Sequence, residues 1–225
     1  MQNTPNGSNL NVKNFFLYAK HFQMTPKNHP TASSEREVLT SAKISRFFSL
    51  PFQPSRLSTY ISVKRFEEVP LDILLRDGIQ GVLLDADGTL GPHHTRSFES
   101  PALDHVQAML QQGLKVAIYT NATEDRFQIF EELGVKIVNN VPPKPDRGGF
   151  EIAMKEFLGL SDPFKVCMIG DNYITDGGAV DVGMRFIHVQ PVMGNESLIH
   201  AMTRHLAYLC ARIHRKIPPT TNRCP

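Results

Sequence analysis

The sequence predicts an α/β fold built on a parallel sheet with helices on both faces, and three observations carry that reading. From residue 79 onward, short runs rich in Val and Ile alternate with segments of helical period. The helical segments stop near Gly113, Gly134, Gly159 and Gly183, the residue type that most often terminates a helix. Acids or a hydroxyl residue end several of the apolar runs, and βαβ connectivity gathers such residues on the carboxyl rim of the sheet.

The elements follow in order. "GVLLD" (81–85) is the first strand of this region, and "KVAIYT" (115–120), "VKIVNN" (135–140), "KVCMIGD" (165–171) and "MRFIHV" (184–189) are the next four. Helices are predicted over 100–112, 124–133 and 147–158, with a short one near 175–183. Leu103, Val106 and Leu110 share one face of the first; Phe127, Phe130 and Leu133 share one face of the second. Asp146 stands where it can cap the third.

Around this core, the domain reading is a polar N-terminal arm over 1–43, a hydrophobic and basic run-in with a short helix over 44–78, the core over 79–195, and a basic amphipathic helix and tail over 196–225. The first 34 residues hold Lys13, Lys20 and Lys27 and no acid. They lack the apolar stretch of a secretory signal, and they lack the Arg of a good transit segment. No apolar run approaches the length that spans a bilayer, so a cytoplasmic or mitochondrial-matrix protein, peripheral at most, is expected. A net charge of +2 makes no general demand for nucleic acid, and none is expected as partner; oligomeric state is left open. Cys167, Cys210 and Cys224 show no CxxC spacing, which fits a reducing compartment better than a zinc site or disulfide framework.

Two segments bear on a membrane surface. The run-in at 44–66 interleaves Phe, Leu, Tyr and Ile with Arg46, Arg56, Lys64 and Arg65 and has no acid before residue 67. Contact with an anionic membrane and packing on the domain's own sheet edge are the two readings. In "SLIHAMTRHLAYLCARIHR" (197–215), Leu198, Met202, Leu206, Leu209 and Ile213 share one helical face, with Arg204, Arg212 and Arg215 elsewhere. Docking on the core and contact with anionic lipid are again the alternatives.

The rim residues define the chemistry. Asp85, Thr120 and Asp171 end three of the strands, and Lys144 follows a fourth. Asp87 and Asp176 add carboxylates to the same rim, and such a cluster is costly without a compensating cation. An all-oxygen donor set suits Mg²⁺. A calcium loop fails on spacing, because the glycine of "DADGTL" falls too early. A carboxylate at a strand tip beside such a metal is a competent nucleophile toward phosphorus. Lys144 and Thr120, with backbone N–H groups at a helix start, meet the charge of a phosphoryl group. Asp87 is placed to give a proton to the leaving oxygen and take one from water, and Gly88 permits the turn. Asn121 and Asn172 neighbour the phosphate and metal positions, and His93 and His94 form a candidate substrate loop.

"DADGT", "YTN", "KP" and "GDNYITD" resemble, in order and spacing, the four motifs of the haloacid dehalogenase superfamily over residues 79–190. The resemblance implies a Rossmann-like five-stranded sheet of order 5-4-1-2-3. It makes Asp85 the nucleophile and Asp87 the acid/base. Thr120 and Lys144 then bind phosphate, and Asp171 binds Mg²⁺ with Asp85 and the Asp87 carbonyl, supported by Asp176. Asp at both acid positions of the first motif implies a phosphatase. Neither inter-motif segment has room for a cap domain, so an open cleft for a protruding phosphate is expected.

"SVKRFEEVPLDILLRDGIQGVLLDADGTL" is similar to the run-in of the capless phosphatidylglycerophosphate phosphatases of bacteria and mitochondria. That branch commonly carries Asn where this chain has Gly88. The resemblance implies a lipid head-group phosphate as substrate and phosphatidylglycerol as product. A soluble phosphatase for a sugar phosphate, nucleotide or phosphoprotein is the alternative, and a non-catalytic membrane adaptor on the same fold is a second.

Overall fold

The computed structural model describes residues 40–122, 126–194 and 196–218. The expectations for the arm before residue 40 and for Cys224 lie outside these residues.

Six strands form one parallel sheet: β1 (Ile61–Val63), β2 (Gly81–Leu84), β3 (Lys115–Ile118), β4 (Lys136–Ile137), β5 (Val166–Gly170) and β6 (Arg185–Val189). Their order is β1-β6-β5-β2-β3-β4. The five strands read from the sequence fall in the expected order, with Asp85 following the strand near the middle. The expected count of five is corrected to six. The additional strand comes from the run-in, where Ile61, Ser62 and Val63 pair with Ile187, His188 and Val189. Without it the ladder groups on the outer side of β6 would be open to solvent or to another chain. All three residues of β1 are buried, so this part of the run-in packs on the sheet edge.

Among the described residues, six α-helices accompany the strands: α1 (Ser41–Ser49), α2 (Leu71–Arg76), α3 (Ser100–Gln111), α4 (Gln128–Glu132), α5 (Arg147–Ile152) and α6 (Leu198–Ile213). A π-turn extends α5 over Ala153–Phe157, and a 3₁₀ segment covers Asp176–Val182. Asp146 caps α5, accepting a hydrogen bond from the Gly149 N–H. Alternation along β2 sends Val82 and Leu84 to one face of the sheet and Leu83 to the other. On the first face they meet Leu74, Val106, Met109 and Phe130; on the second Leu83 meets Phe150, Met154 and Tyr173. Both faces are covered, as a parallel sheet requires.

The basic residues of the run-in do not all face outward. Arg46 is 3% exposed; it pairs with Asp181 and donates to the carbonyls of Tyr173 and Gly177. Arg56 pairs with the same Asp181 carboxylate. Burial pulls the Arg46 pKa down to about 10 against the opposing pull of Asp181. On α1 it is Ile44 and Phe48 that are exposed, with Phe52 just beyond.

Helix α6 is likewise turned over. Its buried residues are Arg204, Ala207 and Ala211, whereas Leu198, Ile199, Met202, Leu206, Leu209 and Ile213 are exposed. The small alanines let the helix approach the sheet layer closely, and the wide apolar stripe is left outside.

His188 on β6 is buried between the rings of Tyr173 and Tyr208, which stack on it at 5.1 and 5.2 Å. Burial lowers its pKa to about 4. It therefore stays neutral in the folded chain while the unfolded chain takes up a proton below about pH 6.5. Its stabilising contribution is complete above pH 6.5 and is lost as the pH falls toward 4. The loss is on the order of 3 kcal/mol. Urea unfolding at pH 7 and pH 5 should show this slope in the wild type and a flatter one in His188→Gln.

Candidate active site

The site lies where β2, β3, β4 and β5 end. Asp85 follows β2, and its backbone N–H donates to the Ile169 carbonyl, which fixes the strand tip. Its Oδ1 accepts from the Ala86 N–H at 2.8 Å. Lys144, 1% exposed, lies 2.8 Å from Asp85 Oδ1 and donates to Asp176 Oδ1 at 2.5 Å. Asn121 grips the Lys144 backbone at both ends: its amide donates to the Lys144 carbonyl, and its Oδ1 accepts from the Lys144 N–H. Asn121 thus positions the lysine.

Asp171 and Asp176 arrive after β5. One oxygen from each of Asp85, Asp171 and Asp176 lies within 4.8 Å of the others, and all three residues are buried. A Cβ on Gly170 would run into the Asp176 carboxylate, and one on Gly88 would stand 2.6 Å from Asp171 Oδ2. Gly88 also has φ +76°, the left-handed region. Glycine at both places therefore admits the carboxylates. Asn172 shapes this shell from its backbone, its N–H donating to Asp176 Oδ2.

Burial, then the neighbouring carboxylates Asp176 and Asp85, pushes the Asp171 pKa well above the usual range. Burial and Asp85 push Asp176 up to about 7, against Lys144. For Lys144, burial works against the charge, but Asp176 and Asp85 outweigh it and it holds its proton more tightly than usual. Three buried carboxylates beside Lys144 form an oxygen-only donor set suited to a divalent hard cation.

Asp87 is engaged separately. Its Oδ2 accepts from Arg126 at 2.5 Å and its Oδ1 from the His94 N–H at 2.9 Å. Burial would raise its pKa, but the Arg126 bond and charge prevail and lower it. In this arrangement Asp87 is held as a base. For Arg126→Gln, Asp87 should keep its proton to higher pH. The alkaline limb of kcat/KM should then move up for an ester with a poor leaving group, which needs an acid. It should stay put for one with a good leaving group.

Thr120 lines the cleft, its Oγ1 accepting from the Ala122 N–H. One expectation is corrected here: α4 begins only at Gln128, so among the described residues no helix N-terminus stands at Thr120. His93 and His94 both line the cleft, but they differ in contact. His94 offers its backbone to Asp87, whereas the His93 ring turns toward Glu196.

Sequence reasoning missed three charged residues. Arg204 on α6 donates to Asp171 Oδ2 at 2.9 Å and to Glu196 Oε1 at 2.5 Å. Arg126 holds Asp87, and Glu196 enters the cleft wall. Only the isolation of Glu196 in a basic tail marked it. Arg204 had one signal, its place off the apolar stripe with Arg212 and Arg215.

A strand-tip carboxylate paired with a buried lysine, a second Asp two residues on and a buried oxygen cluster define a phosphatase of the haloacid dehalogenase type. The model of the mitochondrial PGP phosphatase family matches residues 40–183, and the chain belongs to that family. The matched range includes α1 and β1, so the run-in is part of the family's domain. No curated protein matches. Among solved structures, the chain is similar to the core domain of a protein titled as a phosphoglycolate phosphatase from Streptococcus pneumoniae. That match has 19% identity and a TM-score of 0.38, over 55% of this chain and 93% of that one. A haloacid dehalogenase-like hydrolase from Brucella suis matches at 16% identity and TM-score 0.20, over 65% and 59%. Likeness this loose carries no argument, and the assignment rests on the family match and the site.

Proposed function

We propose that this phosphatase removes the terminal phosphate of phosphatidylglycerophosphate at an anionic membrane surface, with Mg²⁺ held by Asp85, Asp171 and the Asp87 carbonyl and supported by Asp176. The observation that carries it is Asp85 at the strand tip, 2.8 Å from Lys144 and within reach of two further buried carboxylates. The donor set fits Mg²⁺, being all oxygen. When bound, the ion neutralises charge on the phosphoryl oxygens.

Asp85 attacks phosphorus in line, and the ester oxygen leaves. Lys144 and Thr120 hold the phosphoryl oxygens as charge spreads over them. Asp87 supplies the proton to the leaving oxygen, which requires it to loosen from Arg126 or be protonated beside it. It then takes a proton from the water that attacks the aspartyl phosphate, and inorganic phosphate departs.

Two features support a lipid substrate. Among the described residues, the segments between the strand tips hold loops and single helices with no cap, so the cleft is open to a large substrate. The helices bordering it, α1 with Lys43 and α6 with His200, expose apolar side chains, and no helix among the described residues is long and apolar enough to cross a membrane. Basic residues Arg212, Arg215 and Lys216 cluster at the carboxyl end of α6, a charge pattern complementary to anionic lipid. A mitochondrial-matrix or bacterial cytoplasmic membrane face is consistent with this substrate.

The test is phosphate release from phosphatidylglycerophosphate in anionic mixed micelles, with a small soluble phosphate ester in parallel. Preferential release from the lipid, reduced about 10-fold or more in Met202→Glu/Leu209→Glu, is expected, since charges on the stripe oppose apolar insertion. Release from the small ester alone would discard the lipid assignment and leave the phosphatase chemistry in place.

A further inference from the structure

Beside the carboxylate cluster, and separate from it, lies a second group of metal-ligating side chains at the mouth of the cleft. His93 comes from the loop after β2; Glu196 lies just before the N-cap Ser197 of α6, and His200 is in its first turn. Their ligand atoms lie within 4.8 Å of one another. His93 Nε2 is 3.6 Å from Glu196 Oε2, and His200 Nδ1 is 3.2 Å from the same oxygen. A tetrahedral Zn²⁺ with bonds of about 2.0–2.1 Å separates its ligands by roughly 3.3–3.4 Å. The two observed distances bracket that edge. His93 Nε2 is also buried with no hydrogen-bond partner, an unusual state for a ring nitrogen facing a carboxylate.

We propose that His93, Glu196 and His200 form a second cation site, selective for a transition metal of the Zn²⁺ class and distinct from the hard-cation site of the three aspartates. Two imidazoles and one carboxylate are the donor set that suits Zn²⁺, and Mg²⁺ disfavours it. Arg204 donates to Glu196 Oε1 and leaves Oε2 for the metal, so it orients the carboxylate from outside the ligand shell. Asn172 Nδ2 now lies 3.3 Å from His200 Nε2. A metal on Nδ1 leaves the proton on Nε2, so that contact must open on loading. A bound ion would tie the His93 loop to α6 and set a positive charge at the mouth through which an anionic substrate enters.

The experiment uses the full chain, stripped of metal and then saturated with Mg²⁺ to fill the aspartate site. Zn²⁺ is titrated by calorimetry, and Co²⁺ is added separately to read the ligand field. One equivalent of Zn²⁺ should bind in the wild type and in Asp85→Asn. In His93→Gln and in His200→Gln the affinity should fall by more than the roughly 10–100-fold that loss of an outer-shell partner costs. Bound Co²⁺ in the wild type should show the intense visible absorption of a tetrahedral site. Absence of Zn²⁺ binding above the Mg²⁺ background overturns the proposal, as does binding that survives both histidine variants or is lost in Asp85→Asn. The Co²⁺ spectrum decides the matter on the wild type alone if either variant fails to fold. Phosphatase activity is not the readout, so failure here is separate from failure of the proposed reaction.

Discussion

Asp85→Asn is expected to lower phosphate release by about 10⁴-fold or more, on any substrate the enzyme accepts. The amide is nearly isosteric, so it keeps the strand tip, but it cannot form the acyl phosphate. Two further observations sharpen the expectation. Asp85 is the carboxylate nearest Lys144 apart from Asp176, so neutralising it leaves the lysine still paired. After burial, the Asp85 charge also helps raise the pKa of both Asp171 and Asp176, so the variant should lose self-repulsion within the cluster. Inactive protein with an equal or higher unfolding midpoint in chelator is the predicted outcome, measured by phosphate release and thermal unfolding on the same preparation. Activity within tenfold of wild type would remove Asp85 as nucleophile and with it the aspartyl-phosphate route.

The second large effect concerns Lys144. Lys144→Met keeps the volume and deletes the charge. The buried Asp85 and Asp176 then lose the cation that touches both. Breaking a buried ion pair from one side costs about 3–5 kcal/mol, because the remaining charge stays buried without its partner. That loss should appear in full when divalent cations are removed. Mg²⁺ should restore more stability to the variant than to the wild type, since it binds the folded site where charge is now in excess. Turnover should fall about 10²–10³-fold even with Mg²⁺ present, the usual effect of removing one fixed donor to developing charge. Equal unfolding midpoints for variant and wild type in chelator would show that the lysine does not compensate the cluster.

The parts of this site that repeat along the chain were legible before the structure. Several strands of the core end on a polar residue, and the helices between them show a period or a stop, so Asp85, Thr120, Lys144 and Asp171 could be placed on one rim. What was not legible is held by long-range pairs. Arg126 reaches Asp87 and Arg204 reaches Asp171 across 39 and 33 residues of sequence. No local spacing encodes either contact. Strand β1 escaped because three residues are too few to show an alternation. The orientation of α6 escaped for a different reason. An amphipathic helix shows which residues share a face, and it does not show which face the fold covers. Here two alanines and an arginine proved the better seat, and the stripe of Leu, Ile and Met was left outside.

The placement of β1 also dictates an order of events during synthesis. Ser62 meets His188 across 126 residues, near the two ends of the folded domain. Strands β2 and β3 can pair soon after they leave the ribosome, but the outer strand has no partner until β6 has been made. During that interval Ile61 and Val63 stand unpaired, together with the exposed Phe48 and Phe52 upstream. The first strand of the sheet to be made is thus the last to be paired, and a stalled or truncated nascent chain presents to the cell a sticky strand in search of an edge.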